Sequence, residues 1–258
     1  RLSMRLGVIG GTGSAGLFPG GMPVALPAGL AAQPWGPPSS APCRSEVEGH
    51  EVIFLARHGA PDAPVIAPHR VNYRANLWVL RELGVHHVIA INAVGGIARA
   101  ATPGRLVIPD QMIDYTWGRE HTFTGDSRFP LQHVDFTGPF TPALRQRLLA
   151  AANRLGVDVM RTATYGATQG PRLESAAEID RLERDGCHVV GMTGMPEAGL
   201  ARELDLSYAM CCVVVNQAAG RVPGGMTIHT QMAASLAVGM GDVRRLLAAV
   251  LAAASERD

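Results

Sequence analysis

Short, nearly continuous apolar runs alternate along the chain with stretches whose apolar residues recur every third or fourth position. The first pattern suits buried strands and the second amphipathic helices, and their alternation predicts an α/β fold. Strands are predicted over residues 5–9, 51–56, 87–92, 161–166, 188–192 and 208–215. Helical spacing predicts helices over residues 71–83, 142–155, 174–184 and 196–204. The last helix is the clearest. Met232, Leu236, Met240, Val243, Leu247 and Leu251 follow one another at steps of three and four, a single stripe suited to covering a sheet.

Two stretches break the alternation. Residues 19–42 are rich in Gly, Pro, Ala and Ser and carry no charge, which reads as an ordered surface excursion or a flexible loop, not a domain linker. Residues 118–142 are also irregular but carry Phe123, Phe129, His133, Phe136 and Phe140. A loop so aromatic is expected to bury its rings against a neighbouring subunit, with folding back onto its own as the alternative. No repeat or domain boundary interrupts residues 4–258, so a single domain is expected, with residues 1–3 ahead of Met4 read as an expression remnant.

Composition narrows the function. With 258 residues, 47% hydrophobic and 17% charged, the chain can bury a sizeable core. A net charge of +1 gives no electrostatic pull towards nucleic acid or membrane surfaces. The chain contains no lysine, so lysine Schiff-base chemistry is excluded. Cys43, Cys187, Cys211 and Cys212 lack the spacing of a zinc site, and the adjacent pair in a strand-like run reads as buried free thiols. The apolar runs are too short to cross a bilayer, and nothing like a leader precedes the first strand. A cytoplasmic enzyme is the expectation.

Gly11-Thr12-Gly13-Ser14-Ala15-Gly16 follows a strand and satisfies the glycine pattern of dinucleotide-binding folds. That chemistry also needs a helix opening at the last glycine and an acidic residue about 20 positions on. Here Leu17-Phe18-Pro19-Gly20-Gly21 would stop a helix, and the first acidic residue is Glu46. A dehydrogenase is therefore set aside. What survives is a glycine-rich turn whose backbone N–H groups, with the hydroxyls of Thr12 and Ser14, could cradle a small anion.

Further segments extend that reading. Ile9-Gly10-Gly11-Thr12-Gly13, Arg57-His58-Gly59, Val71-Asn72-Tyr73-Arg74-Ala75-Asn76-Leu77-Trp78 and Asn92-Ala93-Val94-Gly95-Gly96-Ile97 occur in order. Pro109-Asp110-Gln111 with Ile113-Asp114, Gly170-Pro171-Arg172 and Val190-Gly191-Met192-Thr193-Gly194-Met195-Pro196-Glu197 follow them. Together they resemble the methylthioadenosine phosphorylases of the purine nucleoside phosphorylase family. The resemblance implies a single-domain phosphorylase fold, a mixed twisted sheet with a small barrel flanked by helices. It implies reversible phosphorolysis of a purine nucleoside, with inorganic phosphate as co-substrate and no cofactor or metal. It also implies a homotrimer whose neighbouring subunit lends His133 to the 5' side of the sugar.

Residue by residue, the resemblance places phosphate against Thr12, Arg57, His58, Asn92, the backbone N–H of Ala93, and Thr193. An arginine fork suits such an oxyanion. Met192 falls beneath the ribose. At the base, methylthioadenosine phosphorylases carry two aspartates one residue apart, where this chain has Asn216-Gln217-Ala218. Asparagine can donate to O6 and N7 of hypoxanthine, which an ionised aspartate cannot do. Glu174 falls where 6-oxopurine phosphorylases carry a glutamate, able to accept the N1–H that hypoxanthine has and adenine lacks; its plain alternative is a helix N-terminal acid. Ile228 occupies the position that is aliphatic in methylthio enzymes, with His229 one residue on. Asn216, Arg57 and His58 are thus the expected catalytic groups, and 5'-methylthioinosine the expected substrate. A methylthioadenosine or general inosine/guanosine phosphorylase is the nearest alternative. A non-catalytic nucleoside binder would be expected to lack Arg57 or Thr193, and a hydrolase would not need phosphate.

Overall fold

The computed structural model describes residues 4–26, 34–125, 127–222 and 228–255, apart from the side chains of residues 228–231 and 255. In chain order the first half runs β1 Arg5–Gly10, β2 Met22–Pro23, β3 Cys43–Val47, β4 His50–Ala56, α1 Tyr73–Glu82, β5 His87–Gly96, β6 Leu106–Val107 and β7 Gln111–Asp114. The second half runs α2 Pro142–Leu155, β8 Val159–Met160, β9 Thr164–Ala167, α3 Ala176–Arg184, β10 Val189–Gly191, α4 Glu197–Glu203, β11 Ser207–Gln217 and α5 Ile228–Ser255. All the strands join one mixed sheet, flanked by the helices.

The centre of that sheet is parallel. β1 lies between β4 and β5, with Val8 opposite both Phe54 and Ile89. β11 runs beside β5 from Ser207 opposite His87 to Gln217 opposite Gly96. Buried on both faces, these strands read as continuous apolar runs, and the sequence showed them clearly. At β5 the sheet forks: β10, β9 and β7 continue on one arm, and β11, β6 and β8 on the other. The strands that periodicity missed are short or lie at an edge. β2, β6 and β8 have two residues each, and β3 alternates half-buried with exposed positions. The run expected over 161–166 becomes a strand only from Thr164, because the exposed Arg161 and Thr162 separate β9, paired with β7 and β10, from β8, paired with β6.

Helix ends follow local chemistry. α1 starts at Tyr73 because the Asn72 side chain accepts from the Ala75 N–H. Pro142 opens α2, and Gly156 at φ 64° closes it. α3 begins two residues later than expected, since Ser175 and Glu178 form a reciprocal capping box. On α5 the stripe behaves as its spacing requires: Val243, Leu247 and Leu251 are fully buried, and Met232, Leu236 and Met240 lie against the same apolar cluster. No helix among the described residues is long and apolar enough to cross a membrane.

The aromatic segment settles on its own subunit. Phe123 and Phe140 are buried, Phe129 and Phe136 partly so. Trp35, Trp78, Phe123 and Phe129 form a cluster with centroids 5.2–6.4 Å apart, and Phe140 stacks on Tyr208. These rings therefore give no argument for a neighbouring subunit. Trp35 in the cluster and Met22–Pro23 paired with β3 show that the described parts of 19–42 are an ordered excursion.

Candidate active site

β1, β4, β5 and β11 are parallel, so their carboxyl ends open on one side of the sheet, the usual place for a ligand crevice in an α/β fold. A cleft of about 260 Å³ lies there. Gly11 and Thr12 follow β1, Arg57 and His58 follow β4, Ala93 to Gly95 end β5, and Val215, Asn216 and Ala218 end β11. Met192 and Thr193 follow β10, and Glu174 precedes α3. Residues 11 to 218 thus converge, those after β1, β4, β5 and β11 because these strands share a direction, and Met192 and Thr193 because β10, antiparallel to β5, ends beside it.

No helix follows the glycine turn. Gly11 approaches so closely that a Cβ would sit 2.9 Å from both Arg57 Nη1 and the Ile91 carbonyl oxygen. Thr12 is exposed to the cleft. Ser14 is not available to an anion: it is buried, and its hydroxyl donates to the Gly11 carbonyl at 2.6 Å.

Arg57 departs from the open fork expected of it. It is fully buried, and Nε and Nη2 each donate to a carboxylate oxygen of Glu197 at 2.7 Å, while Nη1 donates to the Ile91 carbonyl at 3.1 Å. Burial alone would lower its pKa, but attraction and hydrogen bonding to Glu197 hold it above the usual value, so the guanidinium stays charged. Glu197 also accepts from the Tyr208 hydroxyl at 2.8 Å. Burial, then the charge of Glu197, pushes the Tyr208 phenol well up, so it remains a donor. The cleft therefore sees a cation whose charge is largely balanced from behind.

His58 reaches its Nδ1 to the Ile66 carbonyl at 2.8 Å. A carbonyl can only accept, so Nδ1 carries the proton and Nε2 is left as an acceptor in the neutral ring. Burial first, and the Arg57 charge second, lower the His58 pKa and favour that neutral form. On the other wall, Asn92 donates from Nδ2 to Thr193 Oγ1 at 2.9 Å, which leaves the Thr193 hydroxyl proton to point elsewhere. Asn92 itself stands behind this wall and not in the cleft lining. The backbone N–H groups of Thr193 and Gly194 reach the Tyr165 hydroxyl at 3.3 and 3.2 Å.

At the far end, a bulge in β11 sets Val215 and Asn216 against a single residue of β5 and brings both to the cleft. Asn216 spends one N–H on the Gln217 carbonyl at 2.7 Å, leaving one N–H and its carbonyl oxygen for a ligand. Ala218 lines the cleft and Gln217 does not. Glu174 lies outside α3, whose first turn is served by Glu178, so the helix-acid role falls to the latter. One Glu174 oxygen accepts from the Thr168 hydroxyl at 2.7 Å. His133 is exposed and away from the cleft of its own subunit. The side chains of Ile228 and His229 lie outside the described residues.

Periodicity and motif matching assigned no role to Glu197, Tyr208, Tyr165 or Thr168. Glu197 had a signal, as an acid at the first position of a predicted helix inside a motif. The tyrosines read as ordinary strand residues.

The profile of the phosphorylase superfamily matches residues 5–252. A protein of Pseudomonas syringae pv. tomato named a probable S-methyl-5'-thioinosine phosphorylase is 47% identical over 246 residues, 95% of this chain and 98% of that protein. A 6-oxopurine nucleoside phosphorylase of Pyrococcus furiosus is 43% identical over 80% of this chain and 78% of its own length. The solved structure of a methylthioadenosine phosphorylase from Schistosoma mansoni, in complex with adenine, superposes with a TM-score of 0.88 at 29% identity, covering 99% of this chain and 93% of that one. With a superfamily match over nearly its whole length, and relatives at this identity, the chain belongs to the phosphorylase superfamily.

Proposed function

We propose that the protein cleaves 5'-methylthioinosine with inorganic phosphate, giving hypoxanthine and 5-methylthioribose 1-phosphate. The observation that carries the substrate assignment is the base end of the cleft, where Asn216, Ala218 and Glu174 stand together. Asn216 offers an N–H to N7 or O6, Glu174 has an oxygen for N1–H, and Ala218 offers no acceptor to a 6-amino group. The names of the relatives from Pseudomonas syringae and Pyrococcus furiosus support a 6-oxopurine.

A phosphate oxygen attacks C1' as the bond from C1' to the purine N9 breaks, and the bonding pair leaves with the purine. The barrier falls if the protein stabilises charge that develops only along that path. Thr12, Thr193 and the Ala93 N–H are neutral donors for phosphate, and Arg57 adds a cation damped by Glu197. The neutral His58, with Nε2 as acceptor, suits the remaining P–OH of the phosphate dianion. Asn216 hydrogen-bonds the purine as its negative charge grows. Asn92 and Tyr165 hold the Thr193 turn still.

The trimer belongs to the same proposal. Val65 lines the mouth of the cleft yet is 83% exposed, and Leu131, near His133 in sequence, is 73% exposed. A neighbouring subunit presenting His133 would cover that mouth. Cys43, Cys187, Cys211 and Cys212 are all free thiols, which suits the reducing cytoplasm.

The experiment on the base end is the pair of substitutions Asn216→Asp and Ala218→Asp. Together they should move preference from 6-oxo towards 6-amino nucleosides by about tenfold or more, because an unpaired buried polar group costs about 1–3 kcal/mol. An unchanged ratio of kcat/KM would refute the assignment.

A further inference from the structure

Arg119 stands at the start of the irregular segment after β7, is 8% exposed, and serves no role in the chemistry above. Its six hydrogen bonds all run to uncharged oxygens. Nε donates to Gln169 Oε1 at 3.1 Å. Nη1 donates to the carbonyls of Met192 and Met195, both at 2.7 Å, and to the Tyr73 hydroxyl at 3.3 Å. Nη2 donates to the carbonyls of Gln169 at 2.9 Å and Thr168 at 3.3 Å. A guanidinium has five N–H groups in one plane, and this one is fully engaged.

The four carbonyls come from two turns that form different walls of the cleft. Residues 192–195 carry Met192 and Thr193 on the sugar and phosphate side. Residues 168–170 lead into Glu174 on the base side, and the link is direct: the Thr168 hydroxyl donates to Glu174, and its N–H donates to the Gly191 carbonyl at 2.8 Å. Peptide planarity makes a fixed carbonyl fix the N–H of the next residue. Holding the Met192 carbonyl therefore also aims the Thr193 N–H at Tyr165. A point charge could satisfy one turn, but only a planar fork reaches both at once.

We propose that Arg119 is a positioning residue for nucleoside recognition, tying the sugar-side turn at 192–195 to the base-side turn at 168–174 and so setting the gap into which the nucleoside fits. The proposal rests on reading this cleft as a nucleoside site. Its test uses whichever purine nucleoside the unsubstituted enzyme turns over fastest, so an error in the base assignment is seen separately, in the unsubstituted enzyme.

Arg119→Lys keeps the charge and loses the fork. The nucleoside KM should rise by about tenfold to a hundredfold, the scale expected when binding groups shift by about an ångström, with the phosphate KM within about twofold. Thr168→Val leaves the bonds of Arg119 in place and removes the hydroxyl from Glu174. It should reduce the preference between 6-oxo and 6-amino nucleosides without changing the phosphate KM. A folded Arg119→Lys enzyme with an unchanged nucleoside KM overturns the proposal. So does one whose kcat alone falls, in proportion to its folded fraction. If Arg119→Lys gives no folded protein, Gln169→Leu decides, because it removes the side-chain acceptor of the fork: a raised nucleoside KM with an unchanged phosphate KM supports the tie, and an unchanged nucleoside KM overturns it.

Discussion

Arg57 and Glu197 lie 140 positions apart in sequence and meet as a bidentate pair sealed from solvent. Breaking such a pair from one side leaves a buried charge uncompensated, which costs about 3–5 kcal/mol. Glu197→Gln should lower stability to urea by that order, and inorganic phosphate should restore more stability to the variant than to the parent, because an anion in the cleft offsets the stranded guanidinium. Equal phosphate stabilisation in both would mean that Arg57 does not sense the anion. His58 gives a second residue-scale expectation. Unfolded, it titrates near 6.5; folded, burial and then Arg57 depress it. Between those two values the unfolded chain holds more protons, so stability is whole above pH 6.5 and declines as pH falls towards the folded pKa. His87 is depressed as well, by burial and then Arg147, and contributes in the same direction. His58→Asn should flatten the slope of melting temperature below about pH 6.5 without abolishing it. An identical slope in variant and parent would contradict the buried, neutral imidazole.

Elements were legible in proportion to their burial and length. The parallel strands β1, β4, β5 and β11 are apolar on both faces, and α5 displays its stripe over several turns, so both periods stand out. The two-residue strands show no period at all; β2 and β6 exist because the chain passes beside a longer strand, β3 or β11, and β8 because it passes beside β6. The candidate site was legible through motifs at strand ends, which brought Thr12, Arg57, His58, Ala93, Met192, Thr193, Glu174, Asn216 and Ala218 to one cleft. What motifs could not reveal is how each group is restrained. Glu197 behind Arg57, Asn92 behind Thr193 and Thr168 behind Glu174 are long-range pairings that no local pattern encodes. Ser14 and the aromatic rings of residues 118–142 erred for a related reason: an apparently available group had found a partner within its own chain.

At the scale of the whole molecule the cleft is open, and its mouth carries exposed apolar residues that a neighbouring subunit would cover. Light scattering should therefore give about three times 27.2 kDa, the ring that one repeated heterologous contact produces. His133→Ala should weaken binding of the 5'-methylthio substrate while leaving the assembly intact; a fully active monomer would rule out the shared site. The central claim is narrower than the assembly: this cleft performs phosphorolysis and selects a 6-oxopurine. One measurement addresses it directly, kcat/KM for 5'-methylthioinosine and 5'-methylthioadenosine side by side, with and without inorganic phosphate. The inosine form should be preferred by about tenfold or more, from the match of Asn216 and Glu174 to its base. Neither nucleoside should turn over without phosphate. Equal or faster cleavage of the adenosine form, or turnover in phosphate-free buffer, would disprove this reading of the cleft.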